Sequence, residues 1–221
     1  MNAHSGLAIF DLDNTLLLGD SDYLWGEYLV EHKIVDRDHY QQENKRFYEE
    51  YEQGLLDIYE FLDFALKPLA ENSLALLNDL HKSFMFEKIL PIIPESARAL
   101  VEDHRDKNHT LLIITATNRF VTAPIAAELG IENLLATEPE MLDGQYTGKV
   151  QGVPCFQEGK VTQLNTWLKE NNVSLQQSWF YSDSHNDLPL LLKVTYPFAV
   201  NPDETLEAHA EQCQWPIIRF N

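Results

Sequence analysis

The chain is short of positive charge, of cysteine and of long apolar runs. Its 221 residues hold 16 Lys and Arg against 35 Asp and Glu, a formal charge of −19 at pH 7. Nucleic acids and anionic membranes are held largely by Lys and Arg, so neither is an expected partner. A phosphate ligand would need its charge offset locally, because the overall field repels it. No stretch reaches the roughly 18 consecutive apolar residues of a membrane span. No basic segment leads into a long apolar run near Met1, as a secretory signal would. Cys155 and Cys213 stand far apart without metal-ligand spacing, which makes the cytoplasm the expected compartment. The eight histidines show no ligand spacing either, so a histidine-based transition-metal site is not expected.

What is present describes an α/β protein. With 44% hydrophobic and 23% charged residues, the chain can bury a substantial core. Short apolar runs at 7–10, 111–114, 178–181, 196–200 and 216–220 read as buried strands. Segments of helical period at 95–107, 121–129, 161–170 and 188–193 separate the later ones. Such alternation predicts a Rossmann-like parallel sheet with helices on both faces, and chemistry at the carboxyl ends of its strands. Between Asp20 and about Ile89 the pattern changes to helical spacing alone, as in DYLWGEYLVEH and IYEFLDFALKPL. That length is too great for a loop. The expected organisation is a core of residues 1–18 and 90–221 with an all-helical cap inserted at 19–89. LDGQYTGKVQGVPCF reads as a small hairpin excursion.

Charged residues follow the apolar runs directly. Asp11 and Asp13 come just after 7–10, two residues apart, so on an extended chain they point the same way. They form either a polar strand-to-loop turn or a pair made tolerable by a hard cation such as magnesium, with one carboxylate as nucleophile and the other as proton donor and acceptor. After 113–114 come Thr115, Ala116, Thr117, Asn118 and Arg119, a hydroxyl and successive N–H groups where a helix begins. This is an anion cradle, an N-cap by Thr117 or Asn118, or both. Arg119 pairs with a phosphate or a cap carboxylate, or else forms a surface ion pair. Lys160 opposes the dipole of the helix it opens, so it leans into solvent or has a partner. Asp183 and Asp187 follow the run 178–181.

This ordered set, an acidic pair, a hydroxyl, a lysine and a second acidic pair, resembles the haloacid dehalogenase superfamily over residues 7–201. The resemblance implies Asp11 as a nucleophile that becomes an aspartyl-phosphate and Asp13 as general acid and base. Thr115 and Lys160 would hold phosphate oxygens. Asp11, Asp183 and the main-chain carbonyl of Asp13 would bind magnesium, with Asp187 supporting the metal or pairing with Lys160. The presence of Asp13 favours phosphoester hydrolysis over dehalogenation.

The helical insert resembles the cap of the phosphoserine-phosphatase-like subgroup, where an acid nine positions beyond the nucleophile contacts the substrate amine. Asp20 holds that offset, though it also suits an N-cap. Residues 55–66 contain no Arg or Lys to meet a substrate carboxylate, but do contain Asp57, Glu60 and Asp63. The stretches GDSDYLWGEYL, ITATNRFVT, PCFQEGKV and YSDSHNDLPLL are similar to bacterial histidinol-phosphate phosphatases of the superfamily. Among cap aromatics, Trp25, Tyr28, Tyr48, Tyr51 and Phe61 either stack on an imidazole or pack the core. The expected activity is hydrolysis of a small amine-bearing phosphorylated metabolite, histidinol phosphate first and phosphoserine second. A phosphotransferase or a non-catalytic phosphate-binding regulator is the alternative of another class.

Overall fold

Period-two alternation along β1 (Leu7–Phe10) divides the core in two. Leu7 and Ile9 join the cluster on one side of the sheet, Ala8 and Phe10 the cluster on the other. Both faces are covered, so all four residues are fully buried and the run is apolar throughout. β2 (Thr110–Asn118) splits in the same way, Leu111 and Ile113 against Leu112 and Ile114. The computed structural model describes residues 6–220.

The other strands are β3 (Asn133–Leu142), β4 (Gln145–Gln151), β5 (Ser178–Ser182), β6 (Tyr196–Val200) and β7 (Ile217–Ile218). They form one sheet in the order β4-β3-β2-β1-β5-β6-β7. Every neighbouring pair is parallel except β3 with β4. The helices are α1 (Ser21–Glu31), α2 (Arg37–Glu52), α3 (Ile58–Ala65), α4 (Lys67–Glu71) and α5 (Leu74–Phe84), then α6 (Glu95–Asp106), α7 (Arg119–Glu128), α8 (Glu158–Asn171), α9 (Leu188–Leu191) and α10 (Glu204–Cys213). Acidic, amide or hydroxyl side chains accept a first-turn N–H at six of them: Asp20, Asp36, Asp57, Ser73, Asn118 and Asp203.

The α/β sheet expected from the sequence is therefore found, with three differences. β2 runs four residues past Ile114, and the terminal run shrinks to Ile217–Ile218. β3 is the strand that the apolar pattern does not announce, because Glu138, Pro139 and Glu140 interrupt it. Its distal half turns back through Asp143 and Gly144, both at positive φ (50° and 78°), which is the Asp-Gly hairpin chemistry expected there.

Residues between β1 and α6 are helical or turn, with no strand among them. The insert does not keep a core of its own. Trp25 of α1 packs edge-on against Phe84 of α5 and Phe120 of α7, and one buried cluster runs from Phe10 through these rings. Among the described residues no helix is long and apolar enough to cross a membrane. The chain leaves β1 for β2 on one side, while β5 lies on the other. A crevice therefore opens at the carboxyl ends of these three strands.

Candidate active site

β1 delivers Asp11 straight into that crevice, where its N–H donates to the Tyr181 carbonyl of β5 at 2.9 Å. Lys160 Nζ donates to Asp11 Oδ1 at 2.7 Å and to Asp187 Oδ2 at 2.8 Å, and all three side chains are buried. The question of solvent or partner for Lys160 is thus answered by two partners. Burial alone would lower its pKa, but the charges of Asp11 and Asp187 reverse this and hold the ammonium protonated. Burial pushes Asp11 up to about 7, against the pull of Lys160. The first turn of α8 can carry Lys160 this deep only because Gly159 precedes it. A Cβ at Gly159 would lie 2.0 Å from the Pro154 carbonyl oxygen. Ser182 Oγ donates to Asp187 Oδ2 at 2.7 Å and fixes the far side of the unit.

Asp13 is held at both oxygens. The Ser21 N–H donates to Oδ1 at 2.6 Å and the Thr117 hydroxyl to Oδ2 at 2.8 Å, with the Thr115 hydroxyl 3.5 Å from Oδ2. Burial raises the Asp13 pKa and the Ser21 hydrogen bonding opposes it. Since β2 continues to Asn118, Thr115 and Thr117 lie on one face of the strand and both reach Asp13. Part of the stretch expected to cradle an anion is thus engaged within the protein. The Thr117 N–H already donates to Thr115 Oγ1 at 3.2 Å.

Two other members of that stretch are elsewhere. Asn118 caps α7 through the Val121 N–H, places Nδ2 3.5 Å from Asp22 Oδ1, and is absent from the cavity wall. Arg119 turns away, donating to Glu138 Oε1 at 2.5 Å and to the Leu134 carbonyl at 2.8 Å. Of the alternatives given for Arg119 the structure shows the ion pair, with β3 supplying both acceptors.

A cavity opens above Asp11 and Asp13, with Thr115, Ala116 and Thr117 along its core side. The helical insert forms the rest of the wall, with Asp20, Asp22 and the rings of Tyr23, Phe47, Tyr48, Tyr51 and Phe61. No Lys, Arg or His lines it among the described residues. Asp20 caps α1 by accepting the Tyr23 N–H at 2.8 Å and also lines the cavity. Burial, then the charge of Asp13, push it up to about 7. Asp22 was not singled out by spacing, and the clue was its place two residues beyond Asp20. Burial and the Asp20 charge raise its pKa well above the usual carboxylate range.

Of the five cap aromatics, Tyr48, Tyr51 and Phe61 reach the cavity, while Trp25 and Tyr28 are core. The carboxylates of the 55–66 segment point away from it. Asp57 caps α3, Glu60 bonds Arg46, and Asp63 bonds Lys149. Asp183 is buried, accepts from the Thr15 hydroxyl at 3.1 Å, and opens on an adjoining cavity that shares Tyr48 and Tyr51 with the first. Its pKa is raised well above the usual range by burial, then by Asp11 and Asp187. Asn186 ties the two halves of the site together. Its Nδ2 donates to the Tyr51 carbonyl at 3.2 Å, and its Oδ1 accepts from Gln157 Nε2, just before α8, at 2.9 Å. No three His, Cys, Asp or Glu side chains converge as a metal-binding group among the described residues. The expected magnesium set is of another kind, two carboxylates and a main-chain carbonyl.

Paired acids at one strand end, a buried lysine and a helical lid over them define a class of hydrolase. The family model for haloacid dehalogenase-like hydrolases matches residues 8–192, and the chain belongs to that family. Within it the chain is a phosphatase. It is 45% identical to a histidinol-phosphatase of Neisseria meningitidis serogroup C (strain 8013) over 218 residues, 97% of this chain and 98% of that protein. A crystal structure of a protein with unknown function from Bordetella pertussis Tohama I superposes with a TM-score of 0.91 at 41% identity, covering 96% of this chain and 97% of that one. A substrate-bound phosphoserine phosphatase complex has the same fold, with a TM-score of 0.72 at 18% identity over 96% of this chain and 92% of that one.

Proposed function

We propose that the chain is a magnesium-dependent phosphomonoesterase that acts through an aspartyl-phosphate on Asp11, with histidinol phosphate as its substrate. One observation carries the reading: a buried Asp11–Lys160–Asp187 unit adjoins a cavity walled by Asp20, Asp22 and aromatic rings, with no cation in that wall.

Asp11 attacks phosphorus while Asp13 gives its proton to the departing ester oxygen. Asp13 then takes a proton from the water that releases phosphate from Asp11. Lys160 offsets charge beside the nucleophile, and the Thr115 hydroxyl, held only at 3.5 Å from Asp13 Oδ2, can turn to donate to a phosphate oxygen. The helical cap, residues 19–89, excludes water and reads the leaving group. Lys160 pairs with Asp11 and Asp187, and buried Asp183 adds a third carboxylate whose pKa their charges help to raise, an excess of negative charge that fits a hard divalent cation. Asp11, Asp183 and the Asp13 carbonyl would hold it, with Asp187 supporting them through Lys160. When bound, such an ion neutralises charge on the phosphoryl oxygens. Two free thiols, one of them exposed, accord with a reducing cytoplasm.

Asp20 and Asp22 need a cation to be ionised without penalty, and an ammonium with an imidazole supplies one to each. The name of the Neisseria relative agrees with this. A phosphoserine carboxylate meets no cationic partner in the wall among the described residues. Arg46, the insert's most acid-bound arginine, is engaged by Glu43, Glu50 and Glu60. The test is phosphate release from histidinol phosphate, phosphoserine, a sugar phosphate, a nucleotide and an aryl phosphate. Histidinol phosphate is expected to lead in kcat/KM by about tenfold or more; a preference for phosphoserine overturns the substrate assignment.

A further inference from the structure

Ser21 and Thr117 approach Asp13 with donors of different kinds. The Ser21 N–H is main chain and can only donate, so at 2.6 Å it commits Oδ1 to accepting. The transferable proton of a neutral Asp13 is then left to Oδ2. Thr117 addresses that oxygen, at 2.8 Å, and its hydroxyl can rotate between donating and accepting. Thr117 is itself buried, and its N–H is anchored on Thr115 Oγ1 at 3.2 Å, so its side chain is aimed by the strand. Thr115 stands at 3.5 Å from the same oxygen, at the limit of a hydrogen bond, and keeps its own O–H for other work.

We infer that Thr117 is a positioning residue for the general acid, which holds Asp13 Oδ2 on the leaving oxygen and donates to it as the proton departs. This rests on the assignment of Asp13 as acid and base. In the first step the Asp11–phosphorus bond forms, the phosphorus–ester oxygen bond breaks, and the Oδ2 proton moves to the ester oxygen. Negative charge appears on Oδ2, and the Thr117 O–H hydrogen bond becomes charge-assisted, which strengthens it when it is needed. In the second step water gives its proton to Oδ2 as its oxygen bonds phosphorus and the Asp11–phosphorus bond breaks. The Thr117 hydroxyl again follows the charge.

The test is the dependence on leaving group. A nitrophenolate leaves without help, whereas an alkoxide needs the proton. Thr117→Val keeps the shape and removes the hydroxyl. Its kcat/KM for an alkyl phosphate is expected to fall about 30-fold further than that for nitrophenyl phosphate, within the range that general acid catalysis supplies. Thr117→Ser restores the wild-type ratio, and this comparison decides the matter even if the valine variant folds poorly. Asp13→Asn is the reference, and should show a still larger alkyl-to-aryl split. If Asp13→Asn shows the split and Thr117→Val does not, the inference about Thr117 is overturned alone. If neither shows it, Asp13 is not the acid and both readings fall together.

Discussion

Lys160 Nζ stands 2.7 Å from Asp11 Oδ1, with 4% and 5% of the two side chains exposed. A pair so deeply buried is held by mutual need, because removing one partner strands the other without water. Lys160→Met leaves Asp11 and Asp187 facing each other, and should cost about 3–5 kcal/mol of stability in urea unfolding. Adding Asp187→Asn should recover part of that stability and none of the turnover. Full stability of the single variant would contradict the pairing.

Asp11→Asn keeps the shape of the unit and removes the nucleophile. Phosphate release should vanish while the fold is kept, because Lys160 retains its pair with Asp187 at 2.8 Å. Substantial residual turnover would remove Asp11 from that role.

Metal removal is a separate test, since buried Asp183 adds a third negative charge to the two carboxylates that pair with Lys160. Dialysis against EDTA should stop phosphate release and magnesium should restore it. Undiminished activity in excess chelator would exclude the magnesium reading.

Asp20 both caps α1 and faces the cavity, and the two duties can be separated. Asparagine caps a helix about as well as aspartate, so Asp20→Asn should change stability by only about 0.5 kcal/mol. Loss of charge should raise KM for histidinol phosphate about tenfold, and for an aryl phosphate much less. Equal effects on both substrates would leave Asp20 as a cap alone.

Acid should weaken the fold through a different residue. His104 Nε2 is 2.8 Å from the Tyr181 hydroxyl and its Nδ1 is 2.7 Å from His109 Nδ1. Burial, then the neighbouring His109, lower its pKa from 6.5 to about 4. Between those values the unfolded chain binds a proton that the folded one refuses, so stability falls as pH drops through the window. Above it the group has no effect. The loss should reach about 2–3 kcal/mol by pH 4. His104→Gln should flatten that limb of a stability–pH curve; an unchanged limb would point to another group.

Much of the sheet is legible because a strand buried on both faces is written as an unbroken apolar run, as in Leu7–Phe10 and at 111–114. The site is legible for the same reason. Asp11, Thr115 and Asp183 each follow such a run, and Lys160 completes the order. β3 escapes because it ends the parallel sheet and turns outward, where Glu138 and Glu140 are tolerated. The setting of Arg119 escapes with it. Its partners, Glu138 and Leu134, lie on the strand that the pattern conceals. Helical spacing likewise treats Trp25 and Tyr51 alike, since a periodic stripe does not distinguish the core from a cavity. Sequence alone leaves Thr117 as a cap or part of a cradle, because the four further residues of β2 that turn it toward Asp13 do not continue the apolar run.

Asn186 bonds at one end to the lid, through the Tyr51 carbonyl, and at the other to Gln157, ahead of the turn that bears Lys160. One amide thus belongs to both walls of the cavity, so the aromatic side contributed by the insert and the turn that carries the lysine take their bearings from a single side chain.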